Sequence, residues 1–235
     1  MKPAFLGILS LDTSFPRIVG DVGCLQSYPF PAKLCVVPGA DSTKIVQNGP
    51  TDTELLGRFV LAAQELEQQG AAAIVATCGF LIAAQAEIAA AVRIPVMLSA
   101  LSLFPMVQSC CPGRIGILTA SCLSLGPHML RSASIPEAAV VIAGLEGVPA
   151  FASTFLVRKE EQAQSLDSKS LEAAIVGVST NLVNAYRDLT AILLECGNLP
   201  PYAEAIRKAT GLPVFHIVDA AKMLFSARRQ SLRAS

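Results

Sequence analysis

Tryptophan is absent from this chain, only 6% of its residues are aromatic and only 15% are charged. The charges balance, 18 Lys and Arg against 18 Asp and Glu. No basic stripe or aromatic-interleaved Arg/Lys cluster occurs, so no nucleic acid is expected as a partner. Long apolar runs are also missing. Ala71 to Val92 is interrupted by Gln85 and Glu87, and Pro95 to Val107 is broken by Pro105. A membrane span needs ~20 apolar residues with few or no charges, so no membrane partner is expected. No basic segment with a cleavage site opens the sequence, and the expected location is the cytoplasm. Histidine is scarce, with two in all, and no cysteines stand in a CxxC spacing. That removes the common zinc patterns, and no metal site is expected. Neither GxGxxG, a Walker loop nor GxSxG occurs.

What the chain has is apolar residues: 52% of 235, with a mean hydropathy of +0.53. That suits one large α/β domain or two small lobes with a substantial core. The charged fraction lies well below the ~25% of an average domain. Part of the apolar surface is therefore expected to lie against another subunit, in a homodimer or homotetramer. Seven cysteines, an odd number, read as reduced thiols rather than a disulfide framework.

Leu6 to Leu11 reads as a first strand, followed by a long loop from Asp12 to about Lys33. Loops of that length are usually functional. Leu34 to Val37 reads as a second strand. Thr51-Asp52-Thr53-Glu54 has the form of a capping box, and Leu55, Phe59, Ala62 and Leu66 follow at helical spacing up to Gly70. Ala73 to Ala76 is a buried strand ending at Thr77-Cys78-Gly79. A helix precedes Pro95, and Val96 to Leu98 is the next strand. The same grammar then recurs: strands at Arg114 to Thr119 and Val140 to Ala143, a helical region from Ser170 to Tyr186, and a strand at Ala191 to Leu194. That strand ends at Glu195-Cys196-Gly197, and a further helix leads to a strand over Pro213 to Val218. Strands alternating with helices imply a parallel sheet.

The recurrence is a duplication. Cys78-Gly79 precedes Pro95-Val96 by 17 positions, and Cys196-Gly197 precedes Pro213-Val214 by the same 17. Gly7-Ile8-Leu9 likewise matches Gly116-Ile117-Leu118. The expected fold is α/β: two similar lobes with parallel sheets flanked by helices, related by a pseudo-twofold axis, with the active site in the cleft between them. Residues 1–103 with 212–235 form the first lobe, and 104–211 the second. Ligands of parallel α/β units bind beyond the carboxyl ends of the strands, where both cysteines stand.

Removing a proton beside a carboxylate calls for a base on one face, and inverting the centre calls for an acid on the other. A thiol has a reference pKa of ~8.5, which helix N-termini lower. Cys78 and Cys196 each stand where a strand gives way to a helix. The adjoining Gly79 and Gly197 let the backbone approach a ligand closely, and helix amides can hold a carboxylate. These two cysteines are the expected acid/base pair. Cys35 reads as core and Cys110-Cys111 as a helix end; Cys24 is expected to be exposed in the loop, and Cys122 is assigned no role. His216 reads as a structural histidine, His128 as a surface one, and Glu195 either as assisting Cys196 or as pointing away from it.

The Gly7 to Asp12 segment, the TCG at Cys78, the ECGNLPPYAEAI from Glu195 and the PVFHIVDA ending resemble the aspartate/glutamate/hydantoin racemase superfamily. The resemblance implies a two-lobed, pseudo-symmetric α/β enzyme without a cofactor, acting on a small-molecule carboxylate with Cys78 and Cys196 as opposed acid and base. It implies that Thr119, Ala120 and Ser121 bind the substrate carboxylate, and that Asp12 tunes a cysteine or touches a substrate amine. Many amino-acid racemases carry Cys-Asn-Thr at the first cysteine and Cys-Thr at the second. Here the segments are Cys78-Gly79-Phe80 and Cys196-Gly197-Asn198, and Phe80 points to a more apolar pocket. The loop Phe15-Pro16-Arg17-Ile18-Val19-Gly20-Asp21-Val22-Gly23-Cys24 is similar to the branch that contains algal-type dimethylsulfoniopropionate lyases. Arg17 is read either as a partner of the substrate carboxylate or as an exposed loop residue, and Tyr28 and Phe30 either as a cap or as loop anchors. The leading expectation is an amino-acid racemase or epimerase of the Asp/Glu type. The alternatives are a lyase that eliminates dimethyl sulfide to leave acrylate, and a non-catalytic binding protein that keeps the cleft.

Overall fold

The computed structural model describes residues 3–231. It contains two four-stranded parallel sheets with the same topology. The first has the order β2-β1-β3-β4, from β1 (Phe5–Ser10), β2 (Ala32–Val36), β3 (Ala71–Ala76) and β4 (Val96–Met97). The second has the order β6-β5-β7-β8, from β5 (Arg114–Thr119), β6 (Val140–Gly144), β7 (Leu189–Leu194) and β8 (Val214–His216). The duplication extends to irregularities: the pairing slips between Phe5 and Leu6 against β3, and between Arg114 and Ile115 against β7. Every residue of β3 is buried, as is nearly every residue of β7. Helices cover both faces of such strands, which explains apolar runs without alternation.

The helices are α1 (Ser42–Ile45), α2 (Thr53–Gln68), α3 (Gln85–Ala90), α4 (Phe104–Cys110), α5 (Pro127–Ser132), α6 (Pro149–Phe155), α7 (Ser168–Ala185), α8 (Ala203–Thr210) and α9 (Ile217–Ser231). α2 buries Leu55, Phe59, Ala63 and Leu66 along one face. Its cap is Asp52, whose carboxylate accepts from the amides of Glu54 and Leu55. The expected capping box starting at Thr51 does not form; Asp52 caps the helix alone, with Leu55 at the position where a box needs Glu or Gln. Gly70, at φ +98, ends the helix in the left-handed region that glycine tolerates. Among the described residues, no helix is long and apolar enough to cross a membrane.

The matched Gly-Ile-Leu segments have a packing cause. A Cβ on Gly7 would stand 3.0 Å from Leu66 Cδ1 of α2, and one on Gly116 would stand 3.2 Å from Leu182 Cδ2 of α7. In each lobe a leucine of the covering helix is seated on a bare strand glycine.

Two features depart from the sequence reading. β8 pairs with β7, so the chain stays in the second lobe to His216 rather than leaving it at residue 212. Ile217 and Val218 also open α9 instead of extending the strand. Asp219, three residues beyond His216, accepts the His216 backbone N–H at 3.2 Å, which is the second half of a capping box. α9 then crosses to pack on β1, β3 and β4 of the first sheet. The 3-10 turn Ala100–Leu103 makes the reciprocal crossing onto β7 and β8. The lobes thus exchange their terminal segments, which binds them into one body.

Substituting Gly7→Val forces extra methyls against Leu66 and should destabilise the protein by ~1–3 kcal/mol. Gly57→Ala, on the exposed face of α2 with open space around the new Cβ, should stabilise it by ~1 kcal/mol. Urea unfolding midpoints read both, and the two shifts should have opposite signs.

Candidate active site

β3 and β7 end side by side at the lobe junction. After β3, Thr77 and the extended Cys78 lead into a 3-10 turn, Gly79–Ala84. After β7, Glu195, Cys196 and Gly197 lead to the 3-10 turn Pro200–Tyr202 and then α8. Neither cysteine opens directly into an α-helix, as the sequence reading expected. The pseudo-twofold sets each glycine under the residue that precedes the opposite cysteine. A Cβ on Gly79 would collide with the Glu195 carbonyl oxygen and Oε1, and a Cβ on Gly197 would collide with the Thr77 carbonyl oxygen. Only glycine allows this approach.

The resulting cleft is lined by Cys78 and Cys196 together with Thr77, Gly79, Ala120, Glu195 and Asn198. Its walls are apolar: Leu11, Phe15, Val46, Phe80, Phe155 and Leu156. Phe15 and Phe155 meet edge to face at 4.8 Å. The cleft has about 410 Å³ of empty space, mouth included. Among the described residues no group of three His, Cys, Asp or Glu is placed to hold a metal ion.

Arg17 is the cation on the lining. It is held on three sides: Nη1 donates to Asp21 Oδ1 at 2.7 Å, Nη2 donates to Thr13 Oγ1 at 3.1 Å, and the guanidinium lies over Gly23, where a Cβ would come within 2.7 Å. It is largely buried, not an exposed loop arginine. Asp21 also accepts from the Gly23 amide and from Asn198 Nδ2, each at 2.7 Å. The Val22 amide donates to the Gly197 carbonyl at 3.2 Å. The long loop is thus latched from the first lobe onto the second, beside Cys196. Tyr28 donates to the Val22 carbonyl, and Phe30 stacks on Phe225, so both anchor the loop rather than cap the cleft.

Burial dominates the electrostatics. It pushes the Cys78 thiol well above its ordinary range, with the Glu195 charge adding to the effect; the amides of Phe80 and Leu81 and the Arg17 charge act in the opposite sense. Burial and Glu195 likewise push up Cys196, where Cys78 and Asp21 add to the rise and the Asn198 amide opposes it. The expected lowering of thiol pKa by helix-end amides is therefore outweighed by desolvation. Burial thus favours the neutral form of both thiols. Glu195, 1% exposed, points into the cleft rather than away from it. Burial pushes its pKa up to about 7, against hydrogen bonds from the Thr119 hydroxyl and the Ala120 amide.

The other residues singled out in the sequence fall as follows. Gly79, Phe80, Ala120, Asn198 and Arg17 line the cleft, and Gly197 shapes it from behind. Thr119 does not face the cleft, because its Oγ1 donates to Glu195 Oε2 at 2.8 Å. Asp12 is taken up by Lys159 at 2.5 Å and the Gly39 amide, and Ser121 sits near Glu146; neither lines the cleft. Cys24 is buried, contrary to expectation, and Cys122 is exposed beside Glu146. Burial pushes His216 down to about 4, which makes it a neutral packing residue. Sequence reasoning missed Asp21, whose signal was an Asp set between Gly20 and Gly23 in a loop. It also missed Phe155, for which the sequence carried no signal.

Replacing Gly79 or Gly197 by alanine pushes a Cβ into fixed backbone and should cost ~1–3 kcal/mol each. Gly147→Ala, with nothing within 4 Å, should stay within ~0.5 kcal/mol of wild type. Equilibrium urea unfolding of the three variants checks this.

Comparison with known proteins agrees with this architecture. The Asp/Glu/Hydantoin racemase family matches residues 33–225. A dimethylsulfoniopropionate lyase from Durusdinium sp. clade D is 31% identical over 229 residues, spanning 94% of this chain and 74% of its own length. Dimethylsulfoniopropionate lyase 7 of Emiliania huxleyi is 31% identical over 233 residues, spanning 94% of this chain and 66% of its own. Among solved structures, an arylmalonate decarboxylase variant superposes with a TM-score of 0.63 at 18% identity, covering 94% of this chain and 93% of that one. Allantoin racemase from Klebsiella pneumoniae superposes with a TM-score of 0.62 at 17% identity, covering 97% and 89%. With a family match over most of its length and relatives at 31% identity, the chain belongs to the Asp/Glu/hydantoin racemase family.

Proposed function

We propose that this protein is a lyase that removes the α-proton of a small β-sulfonium carboxylate, of the dimethylsulfoniopropionate type, and expels the β group as a neutral sulfide. The observation that carries the reading is the composition of the cleft: two thiols and one cation, Arg17, inside walls of Phe15, Phe80 and Phe155. The substrate carboxylate pairs with Arg17 in a charge-assisted hydrogen bond. A sulfonium bears charge but no hydrogen-bond donor, and aromatic faces attract such a cation without leaving N–H groups unpaired. The named relatives at 31% identity support the same chemistry.

We assign the base to Cys78. Arg17 favours its thiolate, whereas Asp21 disfavours that of Cys196. The Cys78 thiolate takes the α-proton; the C–H electron pair forms the Cα–Cβ double bond, and the Cβ–S bond breaks with its electrons going to sulfur. Dimethyl sulfide and acrylate result. Racemisation is the second reading. It is favoured by the pseudo-symmetric placement of the two cysteines, one from each lobe, since inversion needs an acid and a base on opposite faces.

Headspace gas chromatography over protein and dimethylsulfoniopropionate should detect dimethyl sulfide. Cys78→Ser should lower kcat by ~10²- to 10⁴-fold, and Cys196→Ser should lower it less. Absence of volatile sulfide, with solvent deuterium entering an amino acid at Cα and both variants inactive, would select racemisation instead. Arg17→Gln should raise KM by ~10- to 100-fold, the worth of a hydrogen bond to a charged group. Initial-rate kinetics over a range of substrate concentrations measures it.

A further inference from the structure

The mechanism above leaves one buried charged group unused. Glu195 Oε2 accepts from Thr119 Oγ1 at 2.8 Å, and the Ala120 amide favours the charged form of the carboxylate. Oε1 is buried and has no hydrogen-bond partner among the described residues. It packs over Gly79, against the backbone that follows Cys78. Its charge opposes thiolate formation at both Cys78 and Cys196. A buried polar atom without a partner calls for an explanation. Since Oε2 is already committed as an acceptor, a proton arriving at Glu195 goes to Oε1.

We propose that Glu195 is the proton carrier of the cysteine pair, with Oε1 taking the thiol proton so that a thiolate forms beside a neutral acid. This rests on the reading that a thiolate removes the α-proton. The S–H bond breaks and an O–H bond forms, leaving the electron pair on sulfur. The thiolate then takes the α-proton, and elimination follows. At the end the thiol is restored, and Glu195 passes its proton to water, matching the one proton that elimination releases. Moving the negative charge from carboxylate to sulfur also removes the repulsion that held the thiol protonated. Glu195 acts through the thiols rather than on the substrate.

The titratable groups its charge acts on are the two thiols, and the Thr119 hydroxyl is bonded to it. Arg17 and Asp21 act from the loop on Cys78 and Cys196 respectively. A carboxyl whose pKa is pushed up to about 7 is divided between its two forms at neutral pH, as a carrier must be. The carboxylate form is the acceptor, so activity should rise with pH through about 7.

Glu195→Gln keeps an oxygen for Thr119 and Ala120 but carries neither charge nor a transferable proton. Two quantities are compared with wild type between pH 6 and 10: the alkylation rate of each cysteine by iodoacetamide, read by mass spectrometry, and kcat/KM on the active substrate. The proposal expects opposite signs. Alkylation near pH 8 becomes several-fold faster because the repelling charge is gone. Turnover falls by about 100-fold, and the acid limb near pH 7 disappears. Glu195→Asp should retain the limb, with a reduced kcat. Wild-type turnover in Glu195→Gln, or alkylation and turnover falling together, overturns the proposal. Should the substrate assignment fail, wild type would turn over no sulfonium acid, yet alkylation still decides: wild-type rates lacking an inflection near pH 7 overturn the carrier role. The wild-type and Glu195→Asp profiles decide in the same way if Glu195→Gln does not fold.

Discussion

The site depends on one steric constraint: two strand ends meet across the pseudo-twofold axis because Gly79 and Gly197 carry no side chain. Gly79 lies under Glu195, and Gly197 under Thr77. That contact brings Cys78 and Cys196, both buried, to a common cleft. Position and protonation are thereby coupled. The close approach that brings both cysteines to the cleft also desolvates them, and burial is the largest influence on both. A thiolate in such a place loses more hydration than a few helix-end amides return. Burial therefore favours the neutral thiols, and chemistry at either one begins by moving a proton.

The loop between β1 and β2 supplies what the strand ends lack. Arg17 is a cation held against Asp21, Thr13 and Gly23 before any ligand arrives. A side chain fixed in this way loses little conformational freedom on binding. The latch from Asp21 to Asn198 and from Val22 to Gly197 ties the loop that carries that cation to the segment around the second lobe's cysteine. The loop is therefore part of the site's framework, which accounts for its length.

Much of this was legible in the sequence because it is repeated. The equal spacing from cysteine to proline, and the paired Gly-Ile-Leu segments, reflect one packing solution used twice: a helix leucine on a strand glycine, and a strand-end glycine under the opposite lobe. What the sequence hid was interaction at long range. Asp12 looked available for the site because it follows β1, but Lys159, 147 positions away, takes it. Thr119 looked like a ligand for the substrate, but Glu195 claims its hydroxyl. Ile217 and Val218 read as strand by residue type, yet the Asp219 carboxylate caps them into a helix. Local pattern located the elements and the cysteines, while the partners of polar side chains came only from the fold.

The duplication is broken where it matters for chemistry. Thr77 and Glu195 occupy equivalent positions and do the same structural work: Thr77 Oγ1 accepts from the Leu11 amide, and the Glu195 carboxylate accepts from the Ala120 amide. A hydroxyl suffices for that task, as Thr77 demonstrates. The carboxylate therefore adds something that packing does not require: a negative charge, on one lobe only, set against both thiols. Arg17 and Asp21 add to the imbalance by acting in opposite senses on the two cysteines. An enzyme that inverts a centre in both directions is served by two near-equivalent faces, because each thiol must act as acid in one direction and as base in the other. A cleft that makes its thiols unequal is better matched to a reaction with one base and one direction. That is the physical reason for preferring elimination over racemisation in a scaffold whose backbone symmetry would serve either.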